Sequence, residues 1–184
     1  MQSLTDSAFV SIGSYEVFVS RDYPAAWEYY CERARLIDDD DADGDGALLV
    51  VGIRAEPRTD PQLLVATRYA PSVGGFTPGV LIVPETDTTW IGAGTKLLAY
   101  RLGTAPSRLW EDTAEVGFWS WRRHDSTILM SAELELAAWD LDGNKLWTRP
   151  VEPPWSYTVA DDQVTLDVMG NAVRFGLREA PNAN

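Results

Sequence analysis

A run of aspartates near residue 40 is the densest group of metal-binding side chains in the sequence. Asp39, Asp41 and Asp43 alternate, and Gly44 follows them. This spacing matches the first half of a calcium loop, in which carboxylates at positions one, three and five bind the ion and a glycine allows a sharp turn. The twelfth position, where such loops carry a glutamate, is Val50. The run predicts either a calcium site completed by a carboxylate from elsewhere or a solvated acidic loop.

Aromatic and basic side chains alternate in a second segment, which contains Trp119, Trp121, Arg122, Arg123 and His124. Strict strand alternation directs both indoles to one face, where an exposed pair could stack on a sugar ring or anchor a protein partner. The alternative is that both indoles belong to the core, as tryptophans usually do. We treat these five residues as a candidate binding site.

Two further patterns would suit acid-base chemistry. Glu133 and Glu135 would share one face of a continuous strand, as the carboxylate pair of a glycosidase does, and the same alternation is typical of an ordinary half-exposed strand. His124 is the only histidine and Cys31 the only cysteine, so a nucleophilic Cys-His pair is formally available. We expect Cys31 to pack in the core instead, and we assign no catalytic residue.

The elements that position these groups are one helix and many strands. Residues 23–37 carry an apolar stripe at helical spacing and predict an N-terminal amphipathic helix that packs on a sheet. The stripe consists of Trp27, Tyr30, Cys31, Ala34 and Ile37. From residue 47 onward, short β-branched and aromatic runs alternate with turn residues and leave no room for helices. The sequence therefore predicts a mainly β fold of antiparallel sheets.

A short pattern occurs twice, within residues 88–110 and again within residues 127–147. Leu98, Ala99 and Tyr100 of the first copy match residues 137–139 of the second, and each copy closes on a tryptophan. Seven of the eight tryptophans lie in residues 90–155. A period of this length indicates stacked antiparallel β units.

The second copy has a more specific pattern, formed by Ala138, Asp140, Gly143 and the closing Trp147. It resembles the tryptophan-docking motif of the quinoprotein-type β-propeller repeats, over about residues 88–149. The resemblance implies blade-like antiparallel sheets, arranged as propeller-like repeats or as a sandwich. The family's cofactor ligands lie outside the matched positions, so we expect no quinone and no other cofactor except the calcium considered above.

Composition restricts the broad class of protein. The chain has 184 residues and 45% hydrophobic content, which suits a single domain spanning 1–184, with a strand, helix and acidic loop in 1–46 and a β-rich body in 47–178. No apolar run is long enough to cross a bilayer, and we expect no membrane association. The first residues lack a basic signal region and Cys31 has no cysteine partner, which favours the cytoplasm.

The formal net charge of −13 argues against nucleic acid as a partner, because no basic stripe is present to displace counterions from phosphates. We therefore expect a non-enzymatic cytoplasmic protein-binding module, one version of which is an acidic neutraliser of a basic partner. Homo-oligomers remain open, because exposed sheet edges need covering. The alternatives are a carbohydrate- or calcium-dependent ligand-binding domain, and a hydrolase that uses Glu133 and Glu135, or His124.

Overall fold

The computed structural model describes residues 9–39, 45–70 and 77–179, which form a mainly β fold of four mostly antiparallel sheets. The prediction of the fold class is confirmed. The single α-helix among these residues is α1, Trp27–Cys31. The first eight strands are β1 Val10–Ile12, β2 Tyr15–Ser20, β3 Leu36–Asp38, β4 Ala47–Arg54, β5 Leu63–Tyr69, β6 Gly79–Val83, β7 Thr88–Ala93 and β8 Lys96–Arg101. The remaining eight are β9 Ser107–Thr113, β10 Phe118–His124, β11 Thr127–Ala132, β12 Glu135–Asp140, β13 Lys145–Pro150, β14 Trp155–Ala160, β15 Gln163–Val168 and β16 Asn171–Gly176.

The chain divides into two compact units. The first comprises Met1–Pro71, Ile82–Thr89 and Tyr100–Leu109, and the second comprises Ser72–Leu81, Trp90–Ala99 and Trp110–Asn184. No helix in the described part of the chain has the length and apolar content that crossing a membrane requires.

The first unit contains a five-stranded sheet in the order β1-β2-β4-β5-β3. Its strands pair antiparallel except β3, which runs parallel to β5. The centre of this sheet is apolar, with Phe18, Val50 and Leu64 almost completely buried. Trp27 and Cys31 of α1 pack against this cluster, together with Tyr30 and Ala34, so the predicted packing of the helical stripe on a sheet is confirmed for these four residues.

The predicted extent of the helix is wrong. Residues 23–37 do not form one helix, because α1 is five residues long and Ile37 lies in β3 with 38% of its surface exposed. The chain leaves the helix after Cys31, and the backbone N–H groups of Arg35 and Leu36 donate to the carbonyls of Pro61 and Gln62. Pairing with β5 then makes this segment a strand, because tertiary hydrogen bonds outweigh a weak local preference for helix.

The other three sheets are meanders in which strands adjacent in the sequence are adjacent in space. Their orders are β6-β7-β8-β9, β10-β11-β12-β13 and β14-β15-β16. Residues 98–100 lie in β8 and residues 137–139 in β12, so the matching segments of the sequence occupy the third strand of two four-stranded sheets. Among the described residues, the third sheet of this kind has three strands.

Two side-chain clusters form the core of the second unit. Four indoles pack together with ring centroids 5.3–6.1 Å apart in the pairs that touch: Trp90, Trp110, Trp121 and Trp139. The second cluster joins β11, β12 and β13 to β15 through Leu129, Leu136, Trp147, Val164 and Leu166, each at most 4% exposed. Aromatic burial on this scale makes a rigid support for the surface groups described below.

Candidate functional site

The aspartate loop lies largely outside the described residues. This applies to Asp41, Asp43 and Gly44, whereas Asp39 is described and exposed. The neighbouring Asp38 accepts hydrogen bonds from Tyr100 Oη at 2.8 Å and Arg108 Nη1 at 3.2 Å. Within the described ranges, no three acidic, histidine or cysteine side chains are placed to hold a metal ion. The calcium site stays a prediction.

Trp119 and Trp121 do not form the shared platform that strict alternation predicts. A β-bulge shifts the register of β10 against β11 between Phe118 and Ser120, which breaks the alternation at Trp119. Trp121 is 9% exposed and packs edge-on against Trp90, whereas Trp119 is half-buried and stacks on Trp155 at 5.1 Å. Each indole therefore contacts a different part of the second unit.

The basic residues that follow are more accessible. Arg122 and Arg123 are exposed, and Arg123 Nε donates to the Asp125 carbonyl at 2.9 Å. Burial lowers the pKa of the half-buried His124, the charge of Arg122 lowers it further, and Asp125 acts in the opposite direction. Burial and Arg122 thus favour the neutral form of the imidazole. A binding role for this segment stays a prediction.

Glu133 and Glu135 do not share one strand, so the geometric premise for a carboxylate pair is wrong. Glu133 lies in the turn between β11 and β12, and Glu135 is the first residue of β12. The Glu135 carboxylate, whose residue is 8% exposed, accepts hydrogen bonds from Thr148 Oγ1 at 2.5 Å and from the Glu115 N–H at 3.0 Å. Because fixed donors occupy it, Glu135 acts as a structural acceptor.

Cys31 is half-buried among the side chains that α1 packs on the sheet. Burial raises the pKa of its thiol, and the charges of Asp39 and Glu28 raise it further. A protonated thiol is a poor nucleophile, which agrees with the predicted packing role.

One concave surface of the second unit is a cleft of about 580 Å³, which we call the β16 cleft. Its apolar lining includes Leu134, Val151, Leu166, Val168 and Val173. Sequence reasoning did not identify this cleft, because its walls come from segments that are separated by up to almost sixty residues and meet only through the sheet packing.

A second cleft, of about 520 Å³, adjoins the first and shares Glu115 and Pro150 with it. Val116 also lines this second cleft. The two clefts are therefore neighbours.

Exposed apolar side chains concentrate at these two clefts. Among the described residues of the second unit, the large apolar side chains that are well exposed are Val116 at 45%, Met169 at 60% and Val173 at 37%. Met169 and Val173 line the β16 cleft, and Val116 lines the second cleft. Clustered apolar exposure is costly in water and typically marks a surface that binds something.

Two of these residues also have strained backbones. Val116 has φ +59° and Met169 has φ +55°, in the left-handed region that glycine and asparagine adopt far more readily. The Met169 N–H donates to the Pro154 carbonyl at 2.9 Å, and the Gly170 N–H donates to Asp167 Oδ1 at 2.8 Å, so the turn is held in place. Backbone strain of this kind accumulates at functional sites.

The Val116 loop is held from several sides. The Leu134 N–H donates to the Glu115 carbonyl and the Glu133 N–H to the Gly117 carbonyl, while Glu135 accepts from the Glu115 N–H. The Glu135 carboxylate, a candidate for acid-base chemistry in the sequence, thus helps to hold the loop that exposes Val116. An apolar residue at a turn position was the sequence signal that could have revealed both Val116 and Met169.

Charge at the β16 cleft is mainly acidic. Glu115 and Glu152 line it, and Arg149 is its one basic residue. The cleft is therefore complementary to a ligand that combines apolar and basic groups.

No protein-family model matches this chain, and no curated protein matches it either.

Proposed function

We propose that this chain is a non-enzymatic protein-binding module that captures a basic segment of a partner protein in the β16 cleft. The observation that carries the proposal is the coincidence of Val116, Met169 and Val173 along these adjoining clefts, with the first two held at positive φ. Positive φ at exposed apolar residues lowers the stability of the folded chain, and their exposed side chains bring no compensating burial. Binding a partner would recover that cost by removing the groups from water.

The charge of the chain supports a basic partner. A net charge of −13 attracts basic proteins over long range and speeds their encounter with the cleft, and Glu115 and Glu152 provide local complementarity. Neutralising a basic toxin or nuclease is the concrete form of this function. The carbohydrate-binding alternative depended on a shared face of Trp119 and Trp121, and the burial of Trp121 weakens it.

We further propose that the meander sheets are related repeats, similar to propeller blades. Two hydrogen bonds support this proposal: Trp110 Nε1 donates to the Gly143 carbonyl at 2.7 Å, and Trp147 Nε1 donates to the Leu177 carbonyl at 2.9 Å. In each case a tryptophan of a fourth strand reaches a carbonyl that follows the third strand of the next sheet.

The test is selection of a random peptide library on the purified full chain. We expect the recovered peptides to combine Lys or Arg with apolar residues. The triple variant Val116→Asn, Met169→Asn, Val173→Thr should bind them about tenfold more weakly, because it removes apolar contacts without adding charge. The control Val19→Thr changes a valine in β2 that is 50% exposed and should bind normally. Equal binding by both variants, or selection of acidic peptides, would contradict the proposal.

A further inference from the structure

The edge of β16 differs from the corresponding position in the other meander sheets. β8 and β12 are third strands with a fourth strand beside them, and their central residues are buried. β16 is also a third strand, but among the described strands it pairs with β15 alone. Its first four residues, Asn171–Arg174, are exposed. A sheet edge of this kind is a template for another strand.

The register identifies the backbone groups that face outward. Val168 and Asn171 flank the two-residue turn Met169-Gly170, so they form a hydrogen-bonded pair, and bonding alternates from there along β16. The N–H and C=O groups of Ala172 and Arg174 therefore point away from β15. They are available to a strand laid along this edge.

The side-chain register connects this edge to the β16 cleft. Val173 pairs with Leu166 and Asn171 pairs with Val168, so these four residues share one face of the sheet, and all four line the cleft. A strand added beside β16 would place alternate side chains on that same face. Every second residue of such a strand would enter the cleft.

We infer that β16 receives one β-strand from an extended segment of a basic partner, with apolar side chains in the cleft and Lys or Arg between them. The inference rests on the proposed function and specifies how the partner segment is held. The Lys or Arg side chains would lie on the face away from the cleft, where Asp167 lies opposite Ala172, and Glu115 and Glu152 add negative charge around the cleft itself. Backbone bonds to Ala172 and Arg174 supply affinity, and the cleft supplies selectivity.

A peptide is a better occupant than a second copy of this chain. Each copy has a net charge of −13, so two copies repel one another, and a second copy would bring no basic excess to the carboxylates around the cleft.

The test uses the full chain and the synthetic peptide KVKLKVK, with affinity measured by calorimetry. Arg174→Pro removes one outward N–H and leaves the bonds to β15 intact, and it should weaken binding about tenfold. The matched control Arg174→Ala removes the same side chain and keeps the N–H, so it should bind at least as well as the unaltered chain. We would also test a series of peptides that each carry one methyl group on a backbone nitrogen. Affinity should fall only when the methyl group is on every second residue, because only alternate N–H groups of an added strand face β16.

The N-methyl series keeps the inference testable even if Arg174→Pro does not fold. One outcome would overturn strand addition and leave the proposed function standing. In that outcome the cleft variant Met169→Asn, Val173→Thr loses peptide binding, whereas Arg174→Pro and N-methylation of the peptide have no effect. Failure of the unaltered chain to bind KVKLKVK below about 1 mM would overturn the inference. Concentration-dependent dimers that Arg174→Pro abolishes, without peptide binding, would assign the edge to a second copy.

Discussion

The Trp147 indole donates its Nε1 hydrogen to the carbonyl of Leu177, the first residue after β16, at 2.9 Å. Both residues are buried, at 4% and 3% exposure. This contact ties the fourth strand of one sheet to the end of the next. It therefore fixes the position of β16, whose open edge and adjoining cleft form the proposed binding surface.

Replacing Trp147 by Phe should lower the free energy of unfolding more than replacing Trp121 by Phe. Both indoles are at least nine-tenths buried, but Trp121 Nε1 has no hydrogen-bond partner among the described residues. The two substitutions remove the same atoms, so the difference between their losses of unfolding free energy measures the hydrogen bond from Trp147 to Leu177. This difference should be about 1 kcal/mol. Urea denaturation measures it, and equal destabilisation would show that the Leu177 contact contributes nothing.

Relieving backbone strain at the cleft should stabilise the protein. Met169→Asn and Val116→Asn each place a residue that tolerates positive φ where an apolar residue now stands. Each should raise the free energy of unfolding by about 1 kcal/mol, which corresponds to roughly 2–4 °C in Tm for a chain of this size. Thermal denaturation followed by circular dichroism tests this. A lower Tm in both variants would mean that the exposed side chains stabilise the fold and are not maintained for binding.

Glu135 should matter for stability far more than Glu133. Glu135→Gln weakens the acceptor that Thr148 Oγ1 and the Glu115 N–H share, and should cost about 1–3 kcal/mol. The control Glu133→Gln makes the same chemical change in the turn and should cost less than about 0.5 kcal/mol. Similar effects of the two substitutions on Tm would contradict the structural role of Glu135.

The turn after β12 should make stability depend on acid pH. Burial of Asp140 alone would raise its pKa, but hydrogen bonds from Asn144, Asp142 and Gly143 outweigh burial and hold the pKa of this carboxyl below its ordinary value. A lowered pKa in the folded state contributes stability above the ordinary value of 3.8, and that contribution is lost as pH falls towards the folded-state pKa. Asp140→Asn should therefore flatten the decline in unfolding free energy that sets in as pH falls below about 4.

Denaturation curves at several pH values, for the unaltered chain and the variant, measure this difference. Identical slopes would show that the hydrogen bonds to Asp140 do not stabilise its ionised form.

Local patterns in the sequence were enough to predict the fold class. Strand-like runs and turn residues indicated antiparallel sheets, and the stripe from Trp27 to Ala34 indicated packing on a sheet. The extent of the helix was not predictable in the same way, because Leu36 and Ile37 become a strand only by pairing with residues of β5 that are 27 positions further along the sequence.

The candidate site was harder to predict because its features depend on three-dimensional neighbours. A bulge at Trp119 separates two indoles that alternation places together, and a turn at Glu133 separates two carboxylates. The exposure of β16 depends on the absence of a fourth strand beside it among the described residues, which no local pattern in Asn171–Gly176 reveals.

Amide hydrogen exchange of the full chain, with and without a basic peptide recovered from the library, tests the central claim most directly. The account predicts slower exchange at Ala172 and Arg174, whose N–H groups face outward, and in the loop around Val116 when the peptide binds. Protection confined to residues 119–124, with unchanged exchange along β16, would contradict it and return the binding site to the segment around Trp119.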